Sequence, residues 1–296
     1  RSPGVASPAG SGEGVVVRAY PDAPRGRSPT AWPSPLLDDL STPEPLPRTR
    51  VTPLIANSQH TMKLAFSSNA YLHHSIETTI SKVAELGYRG IELLADAPHA
   101  WPAGLLPESK ESIRRSLADH ELTISNINAF MMNAVADPRQ PYWHPGWIDP
   151  DPHYRAIRRE HTKRALRLAA ELGAPHITTE PGGPLAPGQT RAEGYDIFYE
   201  ELMPCVEVAE EVGVGLLIEP EPELLIEKFD QYREFADRVD SDRVGLNFDI
   251  GHAYCVGEDP QDWVATMADD TVHYHLEDIA ATRVHQHLIP GRGAID

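Results

Sequence analysis

Carboxylates and imidazoles follow three apolar runs in the last third of this sequence. The first run ends in Ile-Glu219-Pro, and the second ends in Asp249-Ile-Gly-His252. The third run is Val-His-Tyr-His275. Oxygen and nitrogen donors delivered from successive strand ends to one place are what a divalent metal ion needs. The pattern therefore predicts a metal-dependent enzyme.

Each of these residues also has a structural interpretation. Glu219 is followed by several further acids, so it could be a solvated loop residue. Asp249 and His252 are three residues apart after an apolar run, and we expect Gly251 to permit a tight turn that directs both donors to one point. His273 and His275 share a strand face. His275, nearer the strand end, is the better ligand, and His273 is expected to be a hydrogen-bonded core residue.

Several further polar residues follow predicted strands or lie in the last loop. Glu180 ends an apolar run as Glu219 does, so it could be an accessory ligand or a substrate contact. His285 and His287 precede a Pro-Gly-Arg-Gly turn and could bind a second metal ion or a hydroxyl-rich ligand. Asn128 is a polar strand-end residue that could line the same pocket, and Glu92 is another.

Strand-like and helix-like segments alternate from residue 62 onward. We predict strands at 63–68, 90–94, 123–130, 176–179, 215–218, 244–248 and 272–276. We predict helices at 75–87, 109–121, 155–172, 192–212, 228–239 and 262–268. This alternation favours a parallel sheet of βα units, and polar residues at the strand ends favour a (β/α)₈ TIM barrel with its active site in the loops after the strands.

The predicted barrel lacks its eighth strand. We expect that strand beyond residue 296, or an open barrel, or a barrel completed by another chain. Residues 1–61 are rich in Pro, Ser, Gly and Arg, which predicts a disordered extension or a non-native upstream segment. Residues 62–296 are then the catalytic domain. The Pro-rich segment 131–154 is long for a connection, and such loops are usually functional.

The charge balance of the chain narrows the class of partner. The chain has 296 residues, 26 basic and 44 acidic, and a net charge of −18. Because residues 1–61 contain six arginines and five acids, residues 62–296 carry −19. DNA binding depends on basic residues that neutralise phosphates, so a nucleic-acid partner is disfavoured and a small polyhydroxylated metabolite is expected.

The length of the apolar runs and the number of cysteines indicate in which cellular compartment the protein is expected. No apolar run approaches the roughly 20 residues that cross a bilayer, so we expect a soluble protein without a membrane partner. Cys205 and Cys255 are expected to be buried reduced thiols, which favours the cytoplasm. The sequence leaves open whether copies of the chain form a homo-oligomer.

Four motifs in order resemble the xylose isomerase-like TIM-barrel superfamily, also known as AP endonuclease family 2. They are Ile-Glu219-Pro, Asp249-Ile-Gly-His252, His273-x-His275 with Glu277, and the loop from His287 to Pro-Gly-Arg-Gly-x-Ile. The resemblance covers residues 62–296. Members of this superfamily include ketose 3-epimerases, inosose dehydratases and isomerases, and endonuclease IV.

The resemblance to the epimerase branch implies a set of roles. Glu219, Asp249 and His275 would bind a divalent ion (Mn, Mg, Co or Zn), and a glutamate on strand eight, expected beyond residue 296, would be the fourth ligand. Glu219 and that glutamate would form the acid/base pair, with proton removal next to a carbonyl giving an enediolate. His252 would contact substrate beside the metal, and Arg283 would contact substrate oxygens.

Three alternatives to an isomerase or epimerase stay open. A dehydratase of the inosose or dehydroshikimate type would use the same site. An endonuclease IV-like phosphodiesterase is disfavoured, because Glu180 and Asn128 stand where that branch has histidines and His285 stands where it has an aspartate; a second metal remains compatible with the sequence. The missing strand motivates the third alternative, a non-enzymatic binding subunit.

Overall fold

The computed structural model describes the backbone of residues 14–17 and residues 62–135, 137, 139–140 and 143–296. In this part of the chain, eight parallel strands form a closed barrel. They are β1 (Gly14–Val17), β2 (Lys63–Ser67), β3 (Gly90–Leu94), β4 (Thr123–Asn128), β5 (His176–Thr179), β6 (Gly215–Ile218), β7 (Val244–Asp249) and β8 (Thr271–Leu276). The predicted TIM-barrel class is confirmed.

Helices alternate with the strands. They are α1 (Ile76–Glu85), α2 (Pro107–Asp119), α3 (Pro152–Leu172), α4 (Arg191–Val212), α5 (Phe229–Val239), α6 (Ile250–Cys255) and α7 (Pro260–Thr266), with a 3₁₀ turn at Ser68–Tyr71. Two short strands, β9 (Asp278–Ile279) and β10 (His287–Leu288), pair in antiparallel fashion after the barrel. Of the described helices, none is both long and apolar enough to span a bilayer.

The position next to β8 that the sequence of residues 62–296 leaves empty is occupied by β1. Gly14–Val17 pairs in parallel with β2 on one side and with β8 on the other, and Val16 lies opposite both Ala65 and His275. Four of the residues 1–61, a segment expected to be disordered or non-native, therefore form a strand. Three consecutive valines favour an extended backbone, but the run is too short to stand out. The rest of 1–61 lies outside the described residues, so the domain boundary stays a prediction.

Local capping determines where the helices begin and end. The Ser75 side chain accepts the N–H of Thr78 at the start of α1. Helix α3 begins three residues earlier than predicted, because Asp151 caps it and Pro152 occupies its first turn, where a missing N–H costs nothing. It ends at Gly173, whose φ of 76° suits glycine.

The apolar core lies between the barrel and its helices. Phe198 of α4 stacks on Phe235 of α5 with ring centroids 4.5 Å apart, and Phe229 stacks on Phe248 of β7 at 4.3 Å. Trp147, from the loop before α3, is fully buried against Phe198. This packing holds the strands in register, so their C-terminal ends meet at one rim.

Candidate metal centre

Three buried side chains converge at the C-terminal ends of adjacent strands. Glu219 follows β6, Asp249 is the last residue of β7, and His275 is the fifth residue of β8. His275 Nδ1 lies 2.7 Å from Glu219 Oε1 and 3.6 Å from Asp249 Oδ2. One ligand atom from each residue lies within 4.8 Å of the other two. The structure thus brings together the three ligands that the sequence predicts.

The register of β6, β7 and β8 explains this convergence. Asp249 is paired directly with His275 across two parallel strands. Asn247 lies two residues before Asp249 and therefore on the same face of β7. Its Nδ2 donates to Glu219 Oε2 at 2.9 Å, and its Oδ1 lies 3.0 Å from His273 Nδ1. His273 is thus a hydrogen-bonded residue beneath the site, as the sequence predicts.

Asp249 also begins a helix that the sequence does not predict. Its Oδ1 accepts the N–H of His252 at 2.9 Å and caps α6. The role expected for Gly251 is wrong, because Gly251 lies inside α6 and not in a tight turn. A Cβ on Gly251 would collide with the Glu277 carboxylate. Glycine therefore lets the helix and the Glu277 side chain approach each other closely.

The charge environment favours an ionised Asp249. Burial alone would raise the pKa of this carboxyl group. The His252 and His275 imidazoles and hydrogen bonds involving Glu277 and His275 outweigh burial and hold the pKa of Asp249 well below its usual value. An ionised carboxylate is the form that binds a metal ion.

A second group of donors adjoins the first. His252, His285 and His287 each offer a nitrogen within 4.8 Å of the others, and Asp249, His252 and Glu277 form another such group. His285 Nε2 lies 2.7 Å from His287 Nε2, and His287 Nδ1 lies 3.4 Å from Glu277 Oε2. His252 Nδ1 lies 2.9 Å from the carbonyl oxygen of Pro220. The predicted accessory ligands His252, His285 and His287 therefore lie together.

The hairpin of β9 and β10 positions His285 and His287. Asp278 is its anchor, because one carboxylate accepts four backbone N–H groups. The donors are Ile279 at 2.9 Å, Gly291 at 2.9 Å, Gly293 at 2.7 Å and Ile295 at 3.2 Å. Asp278, together with the pairing of β9 and β10, therefore holds the motif around Pro290 to the end of the barrel.

Three predicted site residues contact other parts of the chain. Glu180 is buried, but its Oε1 faces Arg158 Nε at 3.9 Å and accepts the N–H of Trp147 at 3.2 Å. Asn128 Oδ1 accepts the N–H of Phe130 at 3.0 Å. Arg283 is exposed and stacks on the Tyr254 ring at 4.5 Å. The contacts described for these three are with other groups, and their predicted contacts with substrate stay predictions.

Glu180 and Arg158 belong to a separate buried cluster, which we call the arginine cluster and define as Arg158, Glu180 and Asp96. Burial raises the pKa of Glu180 to about 7, although Arg158 opposes this shift. Asp96 accepts the N–H groups of Met132, Asn133 and Ala134 at 2.7, 2.6 and 2.8 Å. The arginine cluster thus holds the start of the Pro-rich loop.

Sequence reasoning missed the polar layer behind His275. Glu92 Oε2 lies 2.8 Å from His275 Nε2. Ser67 Oγ donates to Glu92 Oε1 at 2.9 Å, and Asn126 Nδ2 donates to Glu92 Oε2 at 2.9 Å. Strand alternation was the available signal: Asn126 shares a face with the predicted pocket residue Asn128. Glu92 itself was expected only to line the pocket.

The geometry agrees with a comparison of the chain against known families. Residues 80–296 match the model of the xylose isomerase-like TIM barrel. The chain belongs to this family. The match includes every residue of the metal centre and of the adjoining histidine group.

Individual relatives are distant but cover most of the chain. Fructoselysine 3-epimerase from Escherichia coli O157:H7 is 24% identical over 242 residues, which are 78% of this chain and 82% of the relative. Two solved structures share the fold. A D-tagatose 3-epimerase-like protein has a TM-score of 0.67 at 23% identity and covers 79% of this chain and 83% of its own. The IOLI protein, solved with a bound zinc atom, has a TM-score of 0.64 at 20% identity and covers 79% and 81%.

Proposed function

We propose that this protein is a divalent-metal-dependent isomerase or epimerase of a sugar, a sugar phosphate or a cyclitol. The observation that carries the proposal is the convergence of Glu219, Asp249 and His275 at the ends of three adjacent strands. The named activity of the fructoselysine 3-epimerase relative supports the reaction class. The zinc atom in the IOLI structure supports a metal in this family.

The donor set fits a divalent ion. Two carboxylates and one imidazole, all almost completely buried, offer oxygen and nitrogen atoms of the kind that Mn, Mg, Co and Zn accept. When bound, such an ion would polarise a substrate carbonyl and the adjacent hydroxyl. Glu219, Asp249 and His275 would hold it.

Glu219 is the base in this proposal. Asn247 fixes one of its oxygens and His275 faces the other, so the carboxylate is held at a defined angle beside the metal position. From there it would take the proton from the carbon next to the carbonyl. The second acid/base, which the family resemblance places on strand eight, stays a prediction.

His252 and the last-loop histidines are the proposed substrate or second-metal residues. His252 lies within 3.7 Å of Asp249 Oδ2 and 3.9 Å of Glu219 Oε1, so a ligand at the metal position would meet its ring. The side chain of His285 is 28% exposed, which places this group nearer solvent than the metal centre. It is therefore where substrate hydroxyls or a second ion would enter.

Exchange of the substrate proton with solvent is the most general test. The full chain is stripped with EDTA, reloaded separately with Mn, Mg, Co or Zn, and incubated in D₂O with ketoses, ketose phosphates and inososes. We expect metal-dependent deuterium incorporation beside the carbonyl, followed by NMR, and a stereoisomeric or isomeric product. Glu219→Gln should abolish the exchange but keep the shape of the side chain.

The outcomes separate the alternatives. A product that has lost water would replace the isomerase proposal with a dehydratase. Exchange that survives metal removal, or no exchange with any substrate, would contradict the proposal. Elemental analysis of the loaded protein gives the number of ions per chain, and two ions would assign the second to the histidine group.

A further inference from the structure

His275 contacts carboxylates through both of its ring nitrogens. Nδ1 faces Glu219 and Asp249, and Nε2 lies 2.8 Å from Glu92 Oε2. Glu92 comes from β3, across the barrel from β8, and both side chains have no exposed surface. One imidazole thus connects the proposed ligand set to a carboxylate outside it.

The chemistry of imidazole assigns different roles to the two nitrogens. A ring that binds a metal uses the lone pair of one nitrogen and carries its proton on the other. Because Nδ1 faces Glu219 and Asp249, the proton of a metal-bound His275 lies on Nε2 and points at Glu92. We infer that Glu92 is the positioning carboxylate of the site, which fixes the tautomer and the ring angle of His275. This inference rests on the proposed metal centre.

Glu92 is itself held in place. Ser67 donates to one carboxylate oxygen, and Asn126 donates to the other. Asn126 Nδ2 also donates to Thr178 Oγ1 at 2.7 Å, which extends the network to β5. With the ring of His275, three side chains therefore orient the Glu92 carboxylate, and a shift toward the metal would break bonds on both of its oxygens. This arrangement favours an indirect role for Glu92.

A different arrangement of ligands is the main competitor. Glu92, His273 and His275 also offer atoms within 4.8 Å of one another. An ion in that group would use Nε2 of His275 instead of Nδ1. His273 Nδ1 is engaged by Asn247, which ties His273 to the layer beneath the site. The two arrangements predict opposite ring nitrogens at the metal, so they can be distinguished directly.

Metal binding and ring-nitrogen NMR test the inference without turnover. Cobalt and zinc affinities of the full chain are measured for the wild type, Glu92→Ala and Glu92→Gln. Loss of a carboxylate that hydrogen-bonds a metal ligand typically lowers metal affinity 10- to 100-fold. We therefore expect Glu92→Ala to bind cobalt and zinc roughly 10-fold or more weakly than the wild type. Glu92→Gln retains an oxygen that accepts from Nε2 and should recover part of that loss. In the zinc-loaded wild type, ¹⁵N shifts should show Nδ1 of His275 bound and Nε2 protonated.

Ser67→Ala is the matched control, because it removes a hydrogen bond to the same carboxylate but leaves the His275 contact. Its metal affinity should stay within about twofold of the wild type, which is a small change compared with the loss expected for Glu92→Ala. If Glu92→Ala fails to fold, Glu92→Gln decides by its own affinity and its His275 shifts. Wild-type metal affinity in both Glu92 variants would overturn the inference, and so would a bound Nε2. A protein with Nδ1 coordination and no substrate exchange would overturn the proposed function alone.

Discussion

Two buried groups of charged residues lie at the C-terminal rim of the barrel, and their carboxylates face different partners. In the metal centre, Glu219 and Asp249 face the ring of His275. In the arginine cluster, Glu180 faces the guanidinium of Arg158, whose Nε donates to the carbonyl of Pro145 at 2.8 Å. Imidazole can bind a metal ion, whereas guanidinium carries its own fixed charge.

This difference separates a candidate cation site from a cluster that already contains a cation. The imidazole can give up its Nδ1 proton when an ion binds. Arg158 cannot do so under ordinary conditions, and it is fully buried, so its role is to balance Glu180 and Asp96. In the proposed function the metal centre carries the chemistry, and the arginine cluster holds the rim and the Pro-rich loop.

Asp249→Asn should have the largest effect on activity. Asparagine still caps α6, since it is as good an N-cap as aspartate, but it removes a charged ligand. If the ion contributes about 4 kcal/mol to the transition state, turnover falls about 1,000-fold. Steady-state rates and zinc titration measure the loss. A variant that keeps full metal affinity would contradict the assignment.

Arg158→Met should instead reduce stability. Above the pKa of Glu180, which is about 7, removing one partner of a buried ion pair typically costs about 3–5 kcal/mol, because the other charge loses its partner in the interior. Urea unfolding should show this loss of stability. The metal affinity of the folded molecules should stay within about twofold of the wild type, a much smaller change than the loss of a metal ligand would cause.

The double variant Arg158→Met with Glu180→Gln tests whether the loss comes from the stranded charge. It should be more stable than Arg158→Met alone, because neither charge is then buried without a partner. If the double variant is no better, the loss comes from packing or from the hydrogen bond to Pro145, and the ion-pair explanation fails.

Glu180→Gln should reveal the raised pKa of Glu180 as a pH-dependent difference in stability. The folded-state pKa, about 7, exceeds the unfolded value near 4.3, so the protonated form is favoured on folding. That stabilisation is complete below the unfolded pKa and is lost as pH rises through about 7. Relative to Glu180→Gln, the wild type should lose about 2 kcal/mol between about pH 5 and about pH 7.5. Urea unfolding at both pH values measures it, and a pH-independent difference would show that Glu180 stays ionised.

The strand ends were the part of the site that sequence could predict. A candidate ligand that directly follows an apolar run, such as Glu219 or Asp249, can be predicted from sequence. The run identifies the strand, and in a barrel the C-terminal ends of the strands meet at the active site. The strands at 90–94, 176–179 and 215–218 were predicted with the bounds that the structure gives. Alternation placed His273 and His275 on one face, and nearness to the strand end distinguished His275 as the better ligand.

Partners across the barrel were not predictable in the same way. The Glu92 contact with His275 joins residues 183 positions apart, and no local pattern encodes such a pairing. The pairing of Glu180 with Arg158 was missed because the sequence around Glu180 does not show that α3 places an arginine next to it. Helix α6 was not predicted because it is only six residues long. Its capping residue, Asp249, was interpreted only as a candidate metal ligand and not as the start of a helix.

Asp278→Ala should have the smallest effect, because it loosens the histidine group and leaves both buried clusters intact. The variant loses the acceptor for four backbone N–H groups, but most of these lie in an exposed segment where water can replace it. We expect a loss of about 1 kcal/mol in global stability and faster amide hydrogen exchange at Gly291 and Gly293.

The matched control for this variant is Asp259→Ala, which removes a single N-cap bond to Gln261 at the start of α7. It should leave exchange at Gly291 and Gly293 unchanged. If the hairpin delivers His285 and His287 to substrate, Asp278→Ala raises KM a few-fold while zinc affinity stays near the wild-type value. Weaker zinc binding in Asp278→Ala would instead show that the histidine group helps to hold the first ion, and His285 or His287 would then belong to the metal centre.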